Sequence, residues 1–233
     1  MHTFTDLLIR LPYLGDGQEK IAKKMIDFAY RDNIRALCDV KRLPCSATKD
    51  DLTLRKDLLA YAGERYPDLQ IIPGAELIFQ GEEDAKAISN DPPTLGSSDI
   101  LLIALDPKIS PDALYRTLMI VKESGHGILL SRTDTIECFL HHPKFALRMA
   151  DIGILFEVSA GSVLGENQLS RKGFCTTMLK NGAIFSIVTD ATEHLYHPPR
   201  LSRCYAYVKR HFGEDLAYRV FSYHPAAVLG IGT

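Results

Sequence analysis

The sequence predicts an α/β fold in which parallel strands alternate with helices and form a closed or nearly closed barrel. Short apolar runs recur about seven times along the 233 residues, and segments with helical periodicity separate them. The hydrophobic fraction of 46% is sufficient for one sizeable core in a chain of this length. We therefore expect one barrel domain over residues 1–233.

The predicted strands are short runs rich in Ile, Leu and Val, a composition typical of buried parallel strands. In chain order they cover Phe4 to Leu11, Ile34 to Val40, Leu69 to Pro73 with Ala75 to Phe79, Ile100 to Leu105, Gly127 to Leu130, Ile154 to Val158 and Ile184 to Thr189. Gly74 interrupts the third run, and this predicts a break in that strand.

The predicted helices lie between these runs. Gln18 to Arg31 has apolar residues at helical spacing on one face and lysines on the other. Ser110 followed by Pro111 marks another helix start, because Ser is a preferred N-cap and Pro fits the first turn. The remaining helical segments are Lys49 to Tyr66, Thr135 to Met149 with a break near Pro143, and two that begin at Leu201 and Glu214, while Gln80 to Ser98 is predicted to be a loop.

Composition excludes several classes of partner. The formal net charge is −2 and no dense block of Lys and Arg occurs, which disfavours binding to nucleic acid or to anionic membranes through bulk charge. The first residues lack a basic and apolar signal peptide, and no apolar run approaches membrane-spanning length. We therefore expect a cytoplasmic protein without membrane insertion, and the sequence leaves its oligomeric state open.

The cysteines predict reduced core thiols. They are odd in number and form no C-x-x-C pair, so neither disulfides nor a structural zinc site is indicated. The spacing from Cys204 to Arg210 matches that of cysteine-dependent phosphatases. However, no glycine lies between the two residues, and the segment has helical periodicity.

Two stretches place polar residues where strands end. The run that includes Phe156 to Val158 is followed by Ser159 and Ser162, and the last run ends at Asp190. In a β/α barrel, the carboxyl ends of the strands form the rim that carries the chemistry. The serines have no G-x-S-x-G motif of a nucleophile around them, and we expect them to turn the chain and present backbone amides to the cavity.

Several short motifs together resemble a known family. They are Leu11-Pro12 with Asp16-Gly17, Pro73-Gly74-Ala75-Glu76, Ser159-Ala160-Gly161-Ser162, Thr189-Asp190-Ala191, Pro198-Pro199-Arg200-Leu201-Ser202 and Phe212-Gly213-Glu214-Asp215. In type and order they resemble the bacterial CpsB/YwqE tyrosine phosphatases of the polymerase and histidinol phosphatase (PHP) superfamily, over nearly the whole chain. The resemblance implies a distorted seven-stranded β/α barrel with a cluster of manganese-like ions. It also implies dephosphorylation of tyrosine kinases that control capsule or exopolysaccharide export.

The metal ligands of that family are largely replaced here. The family's histidines fall on Leu7, Ile9, Arg132 and Thr192 and near Arg42, and one glutamate ligand falls on Ala104. Only Asp16, Glu76 and Asp190 are residues that can bind a metal ion and also occupy positions where the family has metal ligands. If strand alternation holds, Leu7 and Ile9 share the inward face and fill the space of the histidine pair. Carboxylates without imidazoles favour hard ions held weakly, so we expect no metal or other cofactor.

Arginines at the former histidine positions suggest a different use of the rim. Arg132 and Arg42 could balance the charges of Asp16, Glu76 and Asp190, which would otherwise repel one another. Because a guanidinium group matches the oxygens of carboxylates and phosphates, the pocket, together with Ser159 and Ser162, could bind a phosphorylated side chain or another anion. The alternative is that Arg132 points to solvent.

Three functions remain open from the sequence. The first is a CpsB-like regulator without hydrolytic activity that binds a tyrosine kinase or an exopolysaccharide-export component. The second is an active phosphatase with manganese or a similar ion on Asp16, Glu76, Asp190 and His194 or His197. The three-residue spacing of His194 and His197 is weak support for a metal site, because this spacing often occurs by chance. The third is metal-free chemistry of another kind in the same barrel, because fold alone does not determine function.

Overall fold

Seven parallel strands form the sheet in the computed structural model, which describes residues 3–12, 17–53 and 55–232. They are β1 (Phe4–Ile9), β2 (Ile34–Pro44), β3 (Gln70–Phe79), β4 (Ile100–Leu105), β5 (Gly127–Leu130), β6 (Leu155–Ser159) and β7 (Ser186–Val188), each paired with the next. Ile9 pairs in parallel with Ala191, and the Arg10 amide donates to the Ala191 carbonyl at 2.9 Å. These contacts bring the first and last strands together, so the predicted seven-stranded barrel is confirmed.

The helices lie between the strands and after them. They are α1 (Gln18–Arg31), α2 (Lys56–Arg65), α3 (Glu82–Lys86), α4 (Pro111–Glu123), α5 (Glu137–His141), α6 (Pro143–Asp151), α7 (Ala160–Leu164), α8 (Leu169–Lys180), α9 (Ser202–Phe212), α10 (Glu214–Tyr218) and α11 (His224–Leu229). A π-helical turn, Arg219–Tyr223, joins the last two. Within the described ranges, none of these helices has the length and apolar character needed to cross a membrane.

Two predicted segments differ from the structure. The helix expected over Lys49 to Tyr66 is divided, because Thr48 and Asp51 cap a 3-10 turn and the backbone is extended at Leu52. The loop expected over Gln80 to Ser98 contains the short helix α3. By contrast, α1 has the predicted bounds.

Gly74 does not break the third strand, which runs continuously through it. A Cβ atom at this position would lie 2.4 Å from the sulfur of Cys38 on the neighbouring strand. The glycine therefore marks a close approach inside the barrel, where no side chain fits.

The first strand contains a β-bulge. Its register with β2 shifts between Asp6 and Ile9, and both Leu7 and Leu8 pack in the cluster inside the barrel. Ile9 packs in the outer cluster between the sheet and the helices. The prediction that Leu7 and Ile9 share the inward face is therefore wrong, because the bulge shifts the alternation by one residue.

The barrel interior is apolar at one end and charged at the other. Leu8, Leu102, Leu129 and Val188 fill it together with residues of α11, and Leu229 is among them. Since that cluster also includes residues at the starts of strands, α11 covers the amino-terminal end of the barrel. The carboxyl ends of the strands are left for the site.

Candidate functional site

Glu76 is the centre of the candidate site, on the inward face of β3. Its side chain is 0% exposed, and three arginines contact it. Arg10 Nη2 lies 3.0 Å and Arg42 Nε 3.1 Å from Oε2, while Arg132 Nη2 lies 3.2 Å from Oε1. Ser131 also donates its hydroxyl to Oε1 at 2.6 Å. The expected ion pair between Arg132 and Glu76 is present.

Local structure places each arginine at the carboxyl end of a strand. Arg42 pairs directly with Glu76 in the register of β2 with β3, so the two side chains share a face. Arg132 follows β5 in the left-handed conformation, with φ of 47°. Arg10 follows β1 and, after the bulge, shares the inward side with Leu8.

The arginines determine the ionisation of Glu76. Burial alone would raise the pKa of this carboxyl group, but the charges of Arg132 and Arg10 and the Ser131 hydrogen bond act against it and hold the pKa below its usual value. Glu76 is therefore a carboxylate at neutral pH, and its charge is matched within the barrel.

Asp190 belongs to the same cluster. It follows β7 with φ of 51°, and its Oδ1 accepts from Arg10 Nη1. Arg10 thus bridges Glu76 and Asp190. Of the carboxylates expected to converge on the rim, these two do, while Asp16 lies outside the described residues.

Two further carboxyl groups lie deeper in the barrel, and the sequence analysis missed both. Burial raises the pKa of Asp6 to about 7, although it accepts hydrogen bonds from Thr189 and Leu8. Glu157 on β6 is fully buried, and neither carboxyl oxygen has a partner in the described part of the chain. Burial, with the nearby charges of Glu76 and Asp190, raises the Glu157 pKa well above its usual value, so this side chain is a neutral acid.

The two rim serines bind a buried carboxyl group. Ser162 donates to Asp134 Oδ2 at 2.6 Å, and the Ser159 amide donates to Asp134 Oδ1 at 3.1 Å. Ser159 Oγ caps α7 by accepting from the Ser162 amide. We expected these serines to present backbone amides to the cavity. Their own amides do not, because the Ser159 amide donates to Asp134 and the Ser162 amide donates to Ser159 Oγ.

The loop that carries His194 and His197, the histidines of the phosphatase alternative, is held by its own contacts. The carboxylate of Glu193 in this loop accepts hydrogen bonds from the backbone amides of Leu195, Tyr196 and His197. The ring of His194 packs against Phe28, with 6.4 Å between ring centroids. Among the described residues, no group of three His, Cys, Asp or Glu side chains is arranged to hold a metal ion.

The manganese-like ion that the resemblance implies does not fit the residues around Glu76. Both carboxylate oxygens are already paired with guanidinium groups, and three such groups lie within 3.2 Å of them. A divalent cation bound here would be repelled by three fixed positive charges at short range. The arrangement instead suits an anion, because guanidinium groups are donors only.

Cys204 is a structural thiol. It is 1% exposed and lies inside α9, and burial raises its pKa far above the usual value. A thiolate nucleophile requires the opposite shift, so the cysteine-phosphatase alternative is wrong.

Of the residues named from the sequence, Glu76, Asp190, Arg42 and Arg132 form one cluster, and Ser159 and Ser162 form a second around Asp134. The sequence analysis missed Arg10, Asp6 and Glu157. One feature of the sequence could have identified these three residues: each is a charged residue within or directly after an apolar run.

Known proteins resemble this chain over most of its length. The tyrosine-protein phosphatase CpsB of Streptococcus agalactiae serotype V is 19% identical over 227 residues, 93% of each chain. One chain from the crystal structures of YwqE from Bacillus subtilis and CpsB from Streptococcus pneumoniae, described as unique metal-dependent tyrosine phosphatases, matches with a TM-score of 0.78 and 18% identity. That match covers 98% of this chain and 95% of the other. A mutant organophosphorus hydrolase from Deinococcus radiodurans shares the fold, with a TM-score of 0.56, 10% identity and coverage of 94% and 86%.

The family assignment follows from the sequence as a whole. The model of the family described as capsular polysaccharide synthesis, CpsB/CapC, matches residues 9–230, which include the strands β2 to β7 and the last residue of β1. The resemblance noted from short motifs is therefore confirmed. This chain belongs to the CpsB/CapC family of capsular polysaccharide synthesis.

Proposed function

We propose that this chain is a CpsB-like protein that has lost metal-dependent hydrolysis and regulates capsule or exopolysaccharide synthesis by binding a phosphorylated or otherwise anionic partner. One observation carries the proposal. Arg10, Arg42 and Arg132 form ion pairs with Glu76, at the rim where the resemblance places histidines and metal ions. In this proposal the arginines supply the positive charge that metal ions supply in the relatives.

Charge balance supports binding of an anion. Three guanidinium groups contact two carboxylates, Glu76 and Asp190, which leaves one more positive than negative charge among the contacting groups. The carboxyl group of Asp6, with a pKa of about 7, lies deeper in the barrel and offsets part of this charge. Arg42 is 50% exposed and Arg132 is 25% exposed, so both can reach a ligand at the barrel mouth. Phosphate oxygens are suited to such planar donors.

The chemistry that would cleave a phosphate has less support. Hydrolysis in such sites needs a nucleophile generated from water, which a bound metal supplies. Both oxygens of Glu76 and Oδ1 of Asp190 are already paired with arginines, so a metal ion would have to displace a guanidinium group to use them. A tyrosine kinase or an export component is the expected partner, at a cytoplasmic location.

The alternative is an active metal-dependent tyrosine phosphatase with a rearranged site on Asp16, Glu76, Asp190 and His194 or His197. Its support is the name of the relatives, which are tyrosine-protein phosphatases matched over 93% of this chain. It requires Arg10 to leave Asp190, or Arg132 and Arg42 to leave Glu76, when the metal binds.

Binding and turnover can be tested together on the full chain. We expect no hydrolysis of an aryl phosphate in added manganese, and saturable binding of a phosphotyrosine peptide measured by calorimetry. Arg132→Ala should weaken that binding about tenfold, because an exposed donor of the cluster is lost. Arg116→Ala is the matched control, since Arg116 is a similarly paired arginine on α4 and should leave binding unchanged.

Two outcomes would contradict the proposal. One is manganese-dependent turnover that disappears in Asp190→Ala, which would support the phosphatase alternative. The other is peptide binding that is the same in Arg132→Ala and the wild type.

A further inference from the structure

A cavity of about 480 Å³ lies at the amino-terminal end of the barrel, opposite the charged mouth. It is bordered by the starts of β1, β2 and β3 and by residues of α10, the π-helical turn and α11. Its volume falls in the range of about 300–1,000 Å³ typical of small-molecule sites. Its lining within the described ranges includes no residue of the cluster around Glu76, so the two sites are separate.

The register of three strands explains why this end of the barrel is open. Ala36 on β2 pairs with Thr5 on β1 and with Gln70 on β3, so these three side chains lie in one row on the same face. That face points into the barrel, because Ala36 packs in the interior cluster. Ala36 in the middle of the row and Ala226 on α11 each carry only a methyl group, and this leaves space between the polar side chains.

Polar groups around this space have unused hydrogen-bonding capacity. The side chains of Thr5 and Gln70 make no hydrogen bond within the described ranges, although Thr5 is only 6% exposed. Ser222 donates its hydroxyl to the Thr3 carbonyl at 2.7 Å, which leaves the hydroxyl oxygen as an acceptor. Donors and acceptors therefore lie side by side in the cavity.

Arg35 and Asp68 form a fixed, charge-balanced pair at the edge of the cavity. Arg35 Nε lies 2.9 Å from Asp68 Oδ2, and Nη1 donates to the backbone carbonyl of Tyr30 at 2.9 Å. The guanidinium group also lies over the Tyr30 ring, 3.8 Å from its centroid, while Nη2 has no acceptor among the described residues. The other described residues of the lining are uncharged, so the cavity favours a neutral ligand over an anion.

Tyr218 adds an aromatic ring to this polar lining, and Ile231 adds apolar surface. A pyranose ring has a flat C–H face that packs against an aromatic ring. Its hydroxyl groups point outwards from the edge of the ring, and each is both a donor and an acceptor. An open-chain polyol has the same hydroxyl groups without the flat face.

We propose that this cavity binds an uncharged pyranose sugar through Thr5, Gln70 and the pair of Arg35 with Asp68. Each sugar hydroxyl can accept from one of these side chains and donate to another, which matches the mixed lining. The site goes beyond the function proposed above, because it takes a neutral ligand at the other end of the barrel.

Saturation-transfer NMR on the full chain detects weak sugar binding directly. Glucose and N-acetylglucosamine are the two probes, titrated separately, and sorbitol is the open-chain control. We expect saturable transfer to at least one of the two sugars, with a dissociation constant on the order of 1 mM. Sorbitol should bind at least about fivefold more weakly, because it lacks the ring.

Variants assign the binding to the cavity. Gln70→Ala and, separately, Thr5→Val should each weaken sugar binding by about fivefold or more, because each removes hydrogen-bonding groups. Gln80→Ala is the matched control, since Gln80 is an exposed glutamine that follows β3 outside the cavity, and it should leave binding within about twofold. Gln70 is also exposed, so its variant remains informative if Thr5→Val lowers the stability of the fold.

Three results would overturn the proposal. They are the absence of saturable transfer to both sugars, sugar binding unchanged in Gln70→Ala, and sugar binding lost in Gln80→Ala. Sorbitol that binds as tightly as the sugars would overturn the assignment of a ring. Sugar binding that is intact in Arg132→Ala, when that variant has lost the phosphotyrosine peptide, would support two separate sites.

Discussion

Glu157 is a buried acid whose carboxyl oxygens have no hydrogen-bond partner among the described residues, and its protonation makes stability depend on pH. Its folded-state pKa is raised well above the usual 4.5. Below pH 4.5, the ordinary pKa of a glutamic acid, both the folded and the unfolded chain hold the proton. As pH rises, the unfolded chain releases the proton and the folded chain keeps it, so the free energy of unfolding falls. This loss continues until pH reaches the folded-state pKa.

Replacing Glu157 with glutamine should remove this loss. We expect Glu157→Gln to match the wild type in stability near pH 4.5 and to exceed it increasingly at higher pH. The expected difference grows by up to about 1.4 kcal/mol per pH unit. Denaturant unfolding at several pH values measures it. Glu166→Gln is the control, because Glu166 is half-exposed and paired with Arg203. A stability difference that is the same at pH 4.5 and pH 8 would contradict the account.

At this scale the sequence predicted some residues of the site and missed others. Asp190 is predicted because it ends a strand-like run, whereas Glu76, Arg42 and Arg132 are predicted from the family resemblance. Arg10 was missed because its side chain points inward only as a result of the bulge in β1. A bulge is a local backbone feature that the alternation of apolar and polar residues does not predict.

The third strand shows how a single glycine permits close packing between elements. Gly74 on β3 faces Cys38 and Val40 on β2, and a Cβ atom would lie 2.4 Å and 3.3 Å from their side chains. We expect Gly74→Ala to lower the free energy of unfolding by roughly 1–3 kcal/mol, because a methyl group would overpack the interior. Chemical denaturation of the variant and the wild type measures the change.

Two further variants define this effect. Gly63→Ala on α2 introduces the same methyl group where no atom lies within 4 Å, so it should stabilise the chain by about 0.5–1 kcal/mol. Gly74→Ala combined with Cys38→Ala should cost less than the sum of the two single changes, since the close sulfur is removed. If Gly74→Ala proves as stable as the wild type, the packing argument fails.

At the scale of elements, the apolar periodicity predicted most strands and α1 but not all boundaries. Gly74 predicts a break because glycine weakens strands in general, and its close neighbour Cys38 is known only from the fold. The apolar spacing from Lys49 to Tyr66 predicts one helix. The caps at Thr48 and Asp51 override that spacing.

The whole barrel combines an apolar interior with a charged mouth. The order of strands follows the chain, as β/α alternation predicts, and so the ends of β1, β2, β3, β5 and β7 can bring charged residues to one place. Topology predicts that chemistry lies at the rim formed by the carboxyl ends of the strands, and the resemblance predicts which residues meet there. The number of arginines in the cluster was not predictable, because each side chain direction depends on local backbone conformation.

The central claim is that guanidinium groups take the place of metal ions at the barrel mouth. Elemental analysis of the full chain, equilibrated with manganese and then dialysed, tests it most directly. We expect far less than one manganese ion per chain, because Glu76 and Asp190 are already bound by Arg10, Arg42 and Arg132. Retention of at least one ion per chain in the wild type, and its loss in Asp190→Ala, would contradict the claim.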